Sequence, residues 1–517
     1  MAKQSFLQGA LILIAAGIIT RFLGFINRIV LARLLGEEGM GLYMMALPTL
    51  FLAMTLTQIG LPVAIAKRIS EAEALGNRKK VKQILVVSLA ITFISSIIVT
   101  MIMVIGSPYI AKTLLTDERT MYPLLAISPI IPITAISSVI RGYFQGKQNM
   151  KPQSYAQVLE QIVRILFVFL FVYMLLPYGV EFAAAGAMFS VIIGEFVSLL
   201  YMIKMFQYSK KIRIRTNFFS FLRSSKDTIK QLFSIALPST GSRMISSLSN
   251  FFEPILVAQS LAIAGVAATV ATKQYGELTG FVLPLLYLPT FITHSLAIAL
   301  VPSISEAEAK NNRKLIHYRI HQSIRISFAS GAIATVILTL FSVPILTFMY
   351  GTANASHYVM FMAPFYILLY IQSPLQAALQ ALDLAKSAMW NSLIGAVVKL
   401  TILFLLTSNP NIGIYGVAIA MNVTVVLITL LHLFTLKKAI AYYIPVKVLL
   451  KMIFLLLASF LAGYGLMQLF ESALHQIGIF LIVLLLFTGI YLFILFALKF
   501  VTKKELQQIP FLQKWLS

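Results

Sequence analysis

The chain has 517 residues, of which 59% are hydrophobic and 11% are charged, and its formal net charge is +24. A soluble domain cannot bury so much apolar surface, so the composition predicts an all-α polytopic membrane protein. The sequence contains no cysteine, which excludes disulfide bonds, thiolate catalysis and cysteine-ligated metals.

Apolar segments long enough to cross a bilayer follow one another along the whole sequence. We predict fourteen transmembrane helices, with bounds of roughly 5–34, 41–66, 84–106, 121–144, 154–176, 183–206, 231–257, 274–302, 324–350, 357–382, 387–408, 414–436, 448–470 and 476–499. The outer loops between them are short, which leaves no room for an extracellular catalytic domain.

The basic residues are distributed unequally between the two sides of the predicted membrane. If the N-terminus lies inside, the cytoplasmic segments hold 32 of the 41 lysines and arginines and the outer loops hold four. By the positive-inside rule, this asymmetry predicts a multi-pass protein of the cell membrane with both termini in the cytoplasm. The positive charge is therefore a topology signal that also attracts anionic membrane lipid, and nucleic acid is not a predicted partner.

The first predicted helix carries two arginines where a lipid-facing helix should carry none. Arg21 and Arg28 are two helical turns apart, and with Gly24 between them they share one face. An arginine at the bilayer centre costs roughly 2.5–3.5 kcal/mol on insertion scales. Two on one face predict an anion or a water-filled cavity beside that stripe, and hence a transporter of an anionic substrate.

A sequence repeat divides most of the chain into two halves. The segment ISEAEALGNRKK at 69–80 recurs 235 residues later as ISEAEAKNNRKL at 304–315. This displacement of 235 residues is named here the repeat offset. The repeat offset also places Lys399 where Arg164 lies. Because six helices separate equivalent positions, the halves are expected to be parallel six-helix repeats with the substrate at their interface. The predicted domains are therefore an N-lobe at 1–225, a C-lobe at 226–437, and two further helices with a basic cytoplasmic tail at 438–517.

Further charged residues lie inside the predicted helices. Glu160 and Arg164 are four apart, a spacing that allows an ion pair within the helix and leaves open a structural or a cavity-wall role. Glu195 has no close partner in the sequence, so it is a candidate for binding H+ or Na+, with a partner arginine on another helix as the alternative.

The seventh and eighth predicted helices carry three more charged candidates. Arg243 is expected near mid-bilayer, where it would add to the cationic site. Glu253 and Glu277 are expected near the outer ends of their helices, where they would gate the outer side by pairing with Arg28 or Arg33.

Motifs for other chemistries are lacking. The segment GYFQGK at 142–147 lacks the four-residue gap between glycines and the final Ser/Thr of an ATP-binding loop. The HExxH motif of zinc proteases and the GxSxG motif of serine hydrolases do not occur. The six histidines are scattered through the chain. We therefore predict no catalytic residue, no metal and no cofactor. The energy for transport is expected to come from an ion gradient, the membrane potential or withdrawal of the product.

The first helix contains TRFLGFINRIVLARLLG, and the ISEAE loop follows the second helix. In these features the chain resembles the MATE-like (MOP) exporter superfamily, and it is similar to the polysaccharide-transporter branch over its whole length. The related lipid II flippases carry an S/T-R-x-L-G-F motif with essential arginines in this helix, which Thr20–Phe25 match. The resemblance gives Arg21 the first arginine's role. Asn27 occupies the place of the second arginine, and Arg28 follows one position later.

The arginine that the family carries in its second helix is absent from 41–66. The resemblance matches Lys273 to another arginine of the family, near the eighth helix. The resemblance implies a flippase that carries a lipid II-type, polyprenyl-pyrophosphate-linked saccharide for spore cortex peptidoglycan. The intramembrane carboxylate Glu195 makes H+ or Na+ the candidate coupling ion, and cell-wall synthases are candidate partners.

Three other functions are open to a sequence of this kind. A cation-coupled multidrug exporter of the same fold would need an acidic cavity, whereas the first helix supplies arginines. A membrane glycosyltransferase or ligase would need catalytic carboxylates on an outer loop, for which Asp117, Glu118 and Glu181 are the candidates. A scaffold that recruits synthases would tolerate neutralisation of the intramembrane cations.

Overall fold

The computed structural model describes residues 6–208, 226–498 and 500. All regular elements within this part of the chain are helical, which confirms the predicted all-α fold. The α-helices are α1 (Phe6–Gln58), α2 (Leu61–Ala74), α3 (Arg78–Tyr109), α4 (Met121–Ile127), α5 (Ile130–Gly146), α6 (Lys151–Leu175), α7 (Val180–Tyr208), α8 (Lys226–Ile263), α9 (Ala268–Gly276), α10 (Leu283–Tyr287), α11 (Thr290–Ala309), α12 (Arg313–Leu340), α13 (Ser342–Tyr350), α14 (Ser356–Ala381), α15 (Ala385–Thr407), α16 (Tyr415–Ile440), α17 (Val446–Leu469) and α18 (Ile477–Ala497). The basic segment at 209–225 and the residues of the predicted basic tail beyond 500 lie outside the described residues.

The described residues contain 11 helical stretches long and apolar enough to cross a membrane, or 12 if a pair of helices bent by 51° counts as one. The first stretch, Ala16–Ala74, has 59 residues. At 1.5 Å per residue it is about 90 Å long, whereas one crossing needs about 30 Å. This stretch is therefore long enough for two crossings.

The chain reverses within α1 at Gly36. This glycine has φ 64° and ψ −171°, a backbone conformation that disfavours any residue with a Cβ. Arg28 Nη1 donates a hydrogen bond to Met44 Sδ at 2.7 Å. A straight helix would separate these positions by about 24 Å, so the two arms of α1 must fold towards each other at Gly36.

The repeat offset found in the sequence also relates helix boundaries. Helices end at Ala74 and Ala309 and again at Gly146 and Ala381. Three pairs of helix starts are related in the same way, namely Arg78 and Arg313, Met121 and Ser356, and Val180 and Tyr415. The stretches 61–208 and 290–440 therefore share equivalent helix boundaries in the same order, although α4 and α5 of the first correspond to the single helix α14 of the second.

Unusual backbone conformations recur at the same offset. Positive φ angles occur at three related pairs of positions, namely Gly76 and Asn311, Thr116 and Gly351, and Gln148 and Asp383. The repeated sequence also caps its helices alike, because Asn77 and Asn312 each accept a backbone N–H three residues ahead. The repeated segments thus form the same helix–turn–helix.

The chain divides into two compact units, unit 1 at 1–280 with 407–414, and unit 2 at 281–406 with 415–517. In unit 1, buried side chains of α2, α3, α5, α7 and α8 form a shared core. In unit 2, the C-terminal helices pack on α12, where a Cβ at Gly463 of α17 would lie 2.7 Å from Leu340 Cδ1. Tyr491 of α18 donates to the carbonyl of Ala329.

Within unit 1, the second arm of α1 crosses α9 at very short range. A Cβ at Gly41 would lie 2.0 Å from the Thr272 carbonyl oxygen, and one at Gly276 would lie 2.2 Å from the Glu37 carbonyl oxygen. Only glycine permits this approach, which brings polar side chains of α1 and α9 together.

Asp117 is the centre of a hydrogen-bond network beside this crossing. Its carboxylate accepts from Arg119 Nη2 at 2.9 Å and from Thr272 Oγ1 at 2.8 Å, while Arg119 Nη1 donates to Glu38 at 2.6 Å. Burial raises the pKa of the Asp117 carboxyl, but the hydrogen bonds from Arg119 and Thr272 outweigh it and hold the pKa below its ordinary 3.8. The ionised form therefore stabilises unit 1.

We predict that Asp117→Asn lowers the free energy of unfolding by about 1–3 kcal/mol near neutral pH, since it removes a charged acceptor of buried donors. The contribution of Asp117 is complete above its ordinary pKa and is lost as the pH falls through the lower folded-state pKa. Thermal unfolding in detergent should show a constant difference from wild type between about pH 5 and 8 that narrows below about pH 4. Glu118→Gln, which breaks an exposed pair with Lys112, is the control and should have little effect. Equal effects of the two variants would contradict the prediction.

Candidate functional site: charged side chains within the helices

Four charged side chains from three helices of unit 1 meet in one cluster, named here the four-charge cluster. Arg141 of α5 donates from Nη2 to both oxygens of Glu195 of α7, at 2.7 and 3.0 Å. The same nitrogen lies 3.8 Å from Glu160 Oε2 of α6, and Arg164 Nη2 bonds Glu160 Oε1 one turn along α6. Two carboxylates thus face two guanidinium groups, and their formal charges cancel.

Close packing of α6 on α7 buries this cluster. A Cβ at Gly194 would lie 2.9 Å from the Glu160 carbonyl oxygen and 3.3 Å from Arg164 Cβ. Glu160 is 8% exposed and Glu195 is 5% exposed. Within the described residues, Arg141 Nε and Arg164 Nε are buried and have no hydrogen-bond acceptor. The cluster is therefore balanced in charge but not saturated in hydrogen bonds.

The two arginines of α1 have no acidic partner within the described part of the chain. Arg21 is exposed, and Arg28 is half-buried with its guanidinium on the Met44 sulfur. Neither forms an ion pair with any residue that the structure describes. A thioether is a weak acceptor, so both guanidinium groups retain most of their capacity to bind an anion.

The first arm of α1 packs against α6, beside the four-charge cluster. A Cβ at Gly24 would lie 4.0 Å from Gln161 Oε1. Further along α1, a Cβ at Gly39 would lie 2.9 Å from Val180 Cγ1, just beyond the end of α6, so the arm and α6 run in the same direction. Arg28 and Arg164, four and three residues further along their helices, therefore lie at similar depth. Asn27 is 6% exposed, and its Oδ1 has no partner among the described residues.

Two more predicted site residues lie at the α1–α9 crossing. Lys273 Nζ of α9 is 3.0 Å from Glu37 Oε2. Glu277, 7% exposed, begins a π-helical turn after α9, and its carboxyl lies within hydrogen-bonding reach of Glu37. The structure thus places Lys273 and Glu277 together, around an acid that the sequence did not single out.

The remaining predicted site residues are carried by α8 and α15, and Glu253 of α8 lies within electrostatic reach of Tyr275 of α9. Arg243 is exposed on α8, and Glu253 is half-buried ten residues further along the same helix. Lys399 is half-buried on α15 in unit 2, whereas its repeat partner Arg164 belongs to unit 1.

Arg141 was not among the predicted site residues because it lies close to Lys147 and Lys151, and all three were assigned to one predicted cytoplasmic segment. The helix that carries it continues to Gly146, so Arg141 lies more than one turn inside α5. The two acids Glu160 and Glu195 in neighbouring helices were the available signal, since a buried carboxylate requires a cation. Within the described residues, no group of three or more acidic or histidine side chains is placed to hold a metal ion.

We predict that Arg141→Leu destabilises the protein by about 3–5 kcal/mol, because it leaves the Glu195 carboxylate buried without its cation. The double variant Arg141→Leu/Glu195→Leu should recover most of this loss, as measured by thermal unfolding in detergent. Lys310→Leu, which breaks an exposed pair with Glu306, is the control and should be nearly neutral. A double variant no more stable than Arg141→Leu would contradict the prediction.

Two family models match the sequence. The model described as polysaccharide biosynthesis protein matches residues 6–308, and the MatE model matches residues 278–405. The first match covers more than half of the chain.

Two curated proteins of Bacillus subtilis (strain 168) are similar over most of their length. Stage V sporulation protein B is 56% identical over 447 residues, which are 86% of each chain. Lipid II flippase MurJ is 25% identical over 419 residues, which are 77% of each chain.

Among solved structures, lipid II flippase MurJ in an inward closed conformation has a TM-score of 0.66 at 16% identity, covering 92% of this chain and 98% of that one. An inward-facing MATE family multidrug transporter has a TM-score of 0.65 at 16% identity, covering 82% and 94%. At such identities these likenesses show the fold. The family match and the close curated relative show more: this chain belongs to the polysaccharide biosynthesis protein family.

Proposed function

We propose that this protein flips an anionic, polyprenyl-pyrophosphate-linked saccharide of the lipid II type across the cell membrane by alternating access, for spore cortex peptidoglycan. The names of its relatives support this substrate, since one is a sporulation protein and another a lipid II flippase. A multidrug exporter would carry cations, whereas α1 presents two arginines.

The observation that carries the proposal is the pair of guanidinium groups on α1. Arg21 and Arg28 share a face, and within the described residues neither has a carboxylate partner. Placing an arginine at bilayer depth costs free energy, so a helix that keeps two arginines without a carboxylate partner requires a ligand that compensates their charge. A pyrophosphate fits because its oxygens accept paired hydrogen bonds from guanidinium groups.

The other predicted site residues take secondary parts in this scheme. Asn27 is the polar neighbour of the arginines, and its Oδ1, unpartnered among the described residues, suits a sugar hydroxyl. Arg243 is a further exposed cation for the head group. Arg164, Lys273 and Lys399 contribute positive potential, although Arg164 and Lys273 already hold carboxylate partners.

The proposed architecture has fourteen crossings, with an N-lobe at 1–225, a C-lobe at 226–437 and an added pair at 438–517. The length of the Ala16–Ala74 stretch and the recurrence of helix boundaries at the repeat offset support it. Both termini would lie in the cytoplasm, as the basic residues indicate. The isoprenoid tail would remain in lipid along α17 and α18, whose outer faces expose large apolar side chains.

Ion coupling and gating are proposed for the acidic residues. Glu160 and Glu195 are buried in the four-charge cluster, where a change of protonation would alter the charge balance. Glu253 and Glu277 would gate the outer side. H+ or Na+ would be the coupling ion, and cell-wall synthases would be the partners that use the product.

We predict that Arg21→Ala reduces flipping of a lipid II-type substrate in proteoliposomes at least tenfold, because charged hydrogen bonds of this kind contribute about 1.5–3 kcal/mol. Arg21→Lys should retain part of the activity, since it keeps the charge but loses the paired geometry. Arg313→Ala, which removes an exposed arginine at the start of α12, should flip at the wild-type rate.

Normal flipping by Arg21→Ala, with protein level and topology unchanged, would refute the assignment of this site. Drug resistance on overexpression, without movement of the lipid-linked saccharide, would favour the multidrug exporter instead.

A further inference from the structure

We propose that the Glu160–Glu195 carboxyl pair is a proton-binding site, that the ion bound there is H+ and not Na+, and that proton uptake there frees a guanidinium group for the anionic substrate. This inference rests on the proposed function, because it concerns how that substrate and an ion bind together. Three observations support it: the bonding of the carboxylates, the comparison with the second half of the chain, and the place of Arg164 beside α1.

The bonding of the carboxylate oxygens favours a proton over a metal ion. Both oxygens of Glu195 and Oε1 of Glu160 accept from guanidinium nitrogens, and Oε2 of Glu160 lies 3.8 Å from one. A hard cation needs several free oxygen ligands and would be repelled by two guanidinium groups. A proton needs one carboxylate oxygen, and two neighbouring acids readily hold it between them.

The second half of the chain shows that the acids are not needed to pack these helices. The repeat offset relates the four-charge cluster to positions without a single carboxylate, namely Gln376, Gly395, Lys399 and Leu430. The corresponding helices still pack tightly, since a Cβ at Gly395 of α15 would lie 2.5 Å from Ile428 of α16. The carboxylates are therefore an addition to the first half, which points to a function.

The charged neighbours of the pair determine the effect of a proton. Arg141 of α5 and Arg164 of α6 contact the acids directly. The helix α1, which packs on α6 and α7, carries Arg21 and Arg28. The titratable residue of α4, Tyr122, contacts Phe182, about 20 Å along α7 from Glu195, and so does not face the pair. The cluster is neutral when both acids are ionised, so one added proton leaves one guanidinium without a counter-charge.

Arg164 is the group that a proton on Glu160 would release. It lies at similar depth to Arg28 of α1 and beside Gln161, which faces Gly24. The Arg164 Nε–H is buried with no acceptor among the described residues. A released Arg164 would join Arg21 and Arg28 in binding phosphate oxygens. By linkage, protons and the anionic head group then strengthen each other's binding.

The test measures binding of farnesyl-diphospho-N-acetylglucosamine to the full-length protein in nanodiscs. This diester keeps its pyrophosphate charge between about pH 5.5 and 8.5, so a change of affinity over that range reports on the protein. We expect affinity to rise on acidification by up to about tenfold per pH unit in wild type, and to be the same in NaCl and KCl. Glu160→Gln should bind as tightly as wild type at low pH, with the pH dependence lost.

Two further variants separate the inference from the proposed function. Arg21→Ala should bind weakly at every pH with the wild-type pH slope, and Glu181→Gln, the same substitution elsewhere on α7, should behave as wild type. Normal binding by Arg21→Ala would refute the head-group site and leave the proton site standing. Thermal unfolding shows which variants are folded, and Glu195→Gln replaces Glu160→Gln if the latter is not.

Three results would overturn the inference. One is pH-independent binding by wild type, which needs no variant to interpret. The second is an unchanged pH slope in both Glu160→Gln and Glu195→Gln. The third is affinity that rises with Na+ instead of with H+.

Discussion

Charge within an apolar medium is the constraint on which this structure depends. A carboxylate or guanidinium group at bilayer depth must find an opposite charge, a ligand or water, because hydrocarbon solvates none of them. Glu160 and Glu195 meet this requirement through Arg141 and Arg164, and the pairing joins α5, α6 and α7. Arg21 and Arg28 do not meet it within the described residues, and this contrast supports their proposed role as ligand-binding groups.

Glycine positions decide where the charged groups can meet. Gly194 brings α7 onto α6 at the level of Glu160. Gly41 and Gly276 allow α1 and α9 to cross so closely that Glu37 contacts Lys273 and Glu277. At Gly194, Gly41 and Gly276 the missing Cβ permits an approach that no larger side chain allows, so polar side chains converge between apolar helices.

The repeat gives the protein two similar scaffolds with different chemistry. Helix boundaries and positive φ angles recur at the repeat offset, so the turns occupy equivalent positions in both halves although the residues at those positions differ. The charged residues do not follow this symmetry, since the second half keeps a cation at Lys399 but has no equivalent of Glu160 or Glu195. The two halves thus share a helix order, and the buried acids of the cluster are confined to one of them.

The amino-acid sequence alone was enough to predict the helical class, the repeat and the ion pair between Glu160 and Arg164, because hydrophobic length and i, i+4 spacing act within one helix. It also identified Arg21 and Arg28, because the free-energy cost of placing an arginine in a membrane depends on its position within the apolar segment. The three-dimensional packing was needed to find that Arg141 is the partner of Glu195 and that Glu37 lies between Lys273 and Glu277. Those contacts depend on which helices pack together and on their rotation and depth, and the periodicity of a single segment contains none of this information.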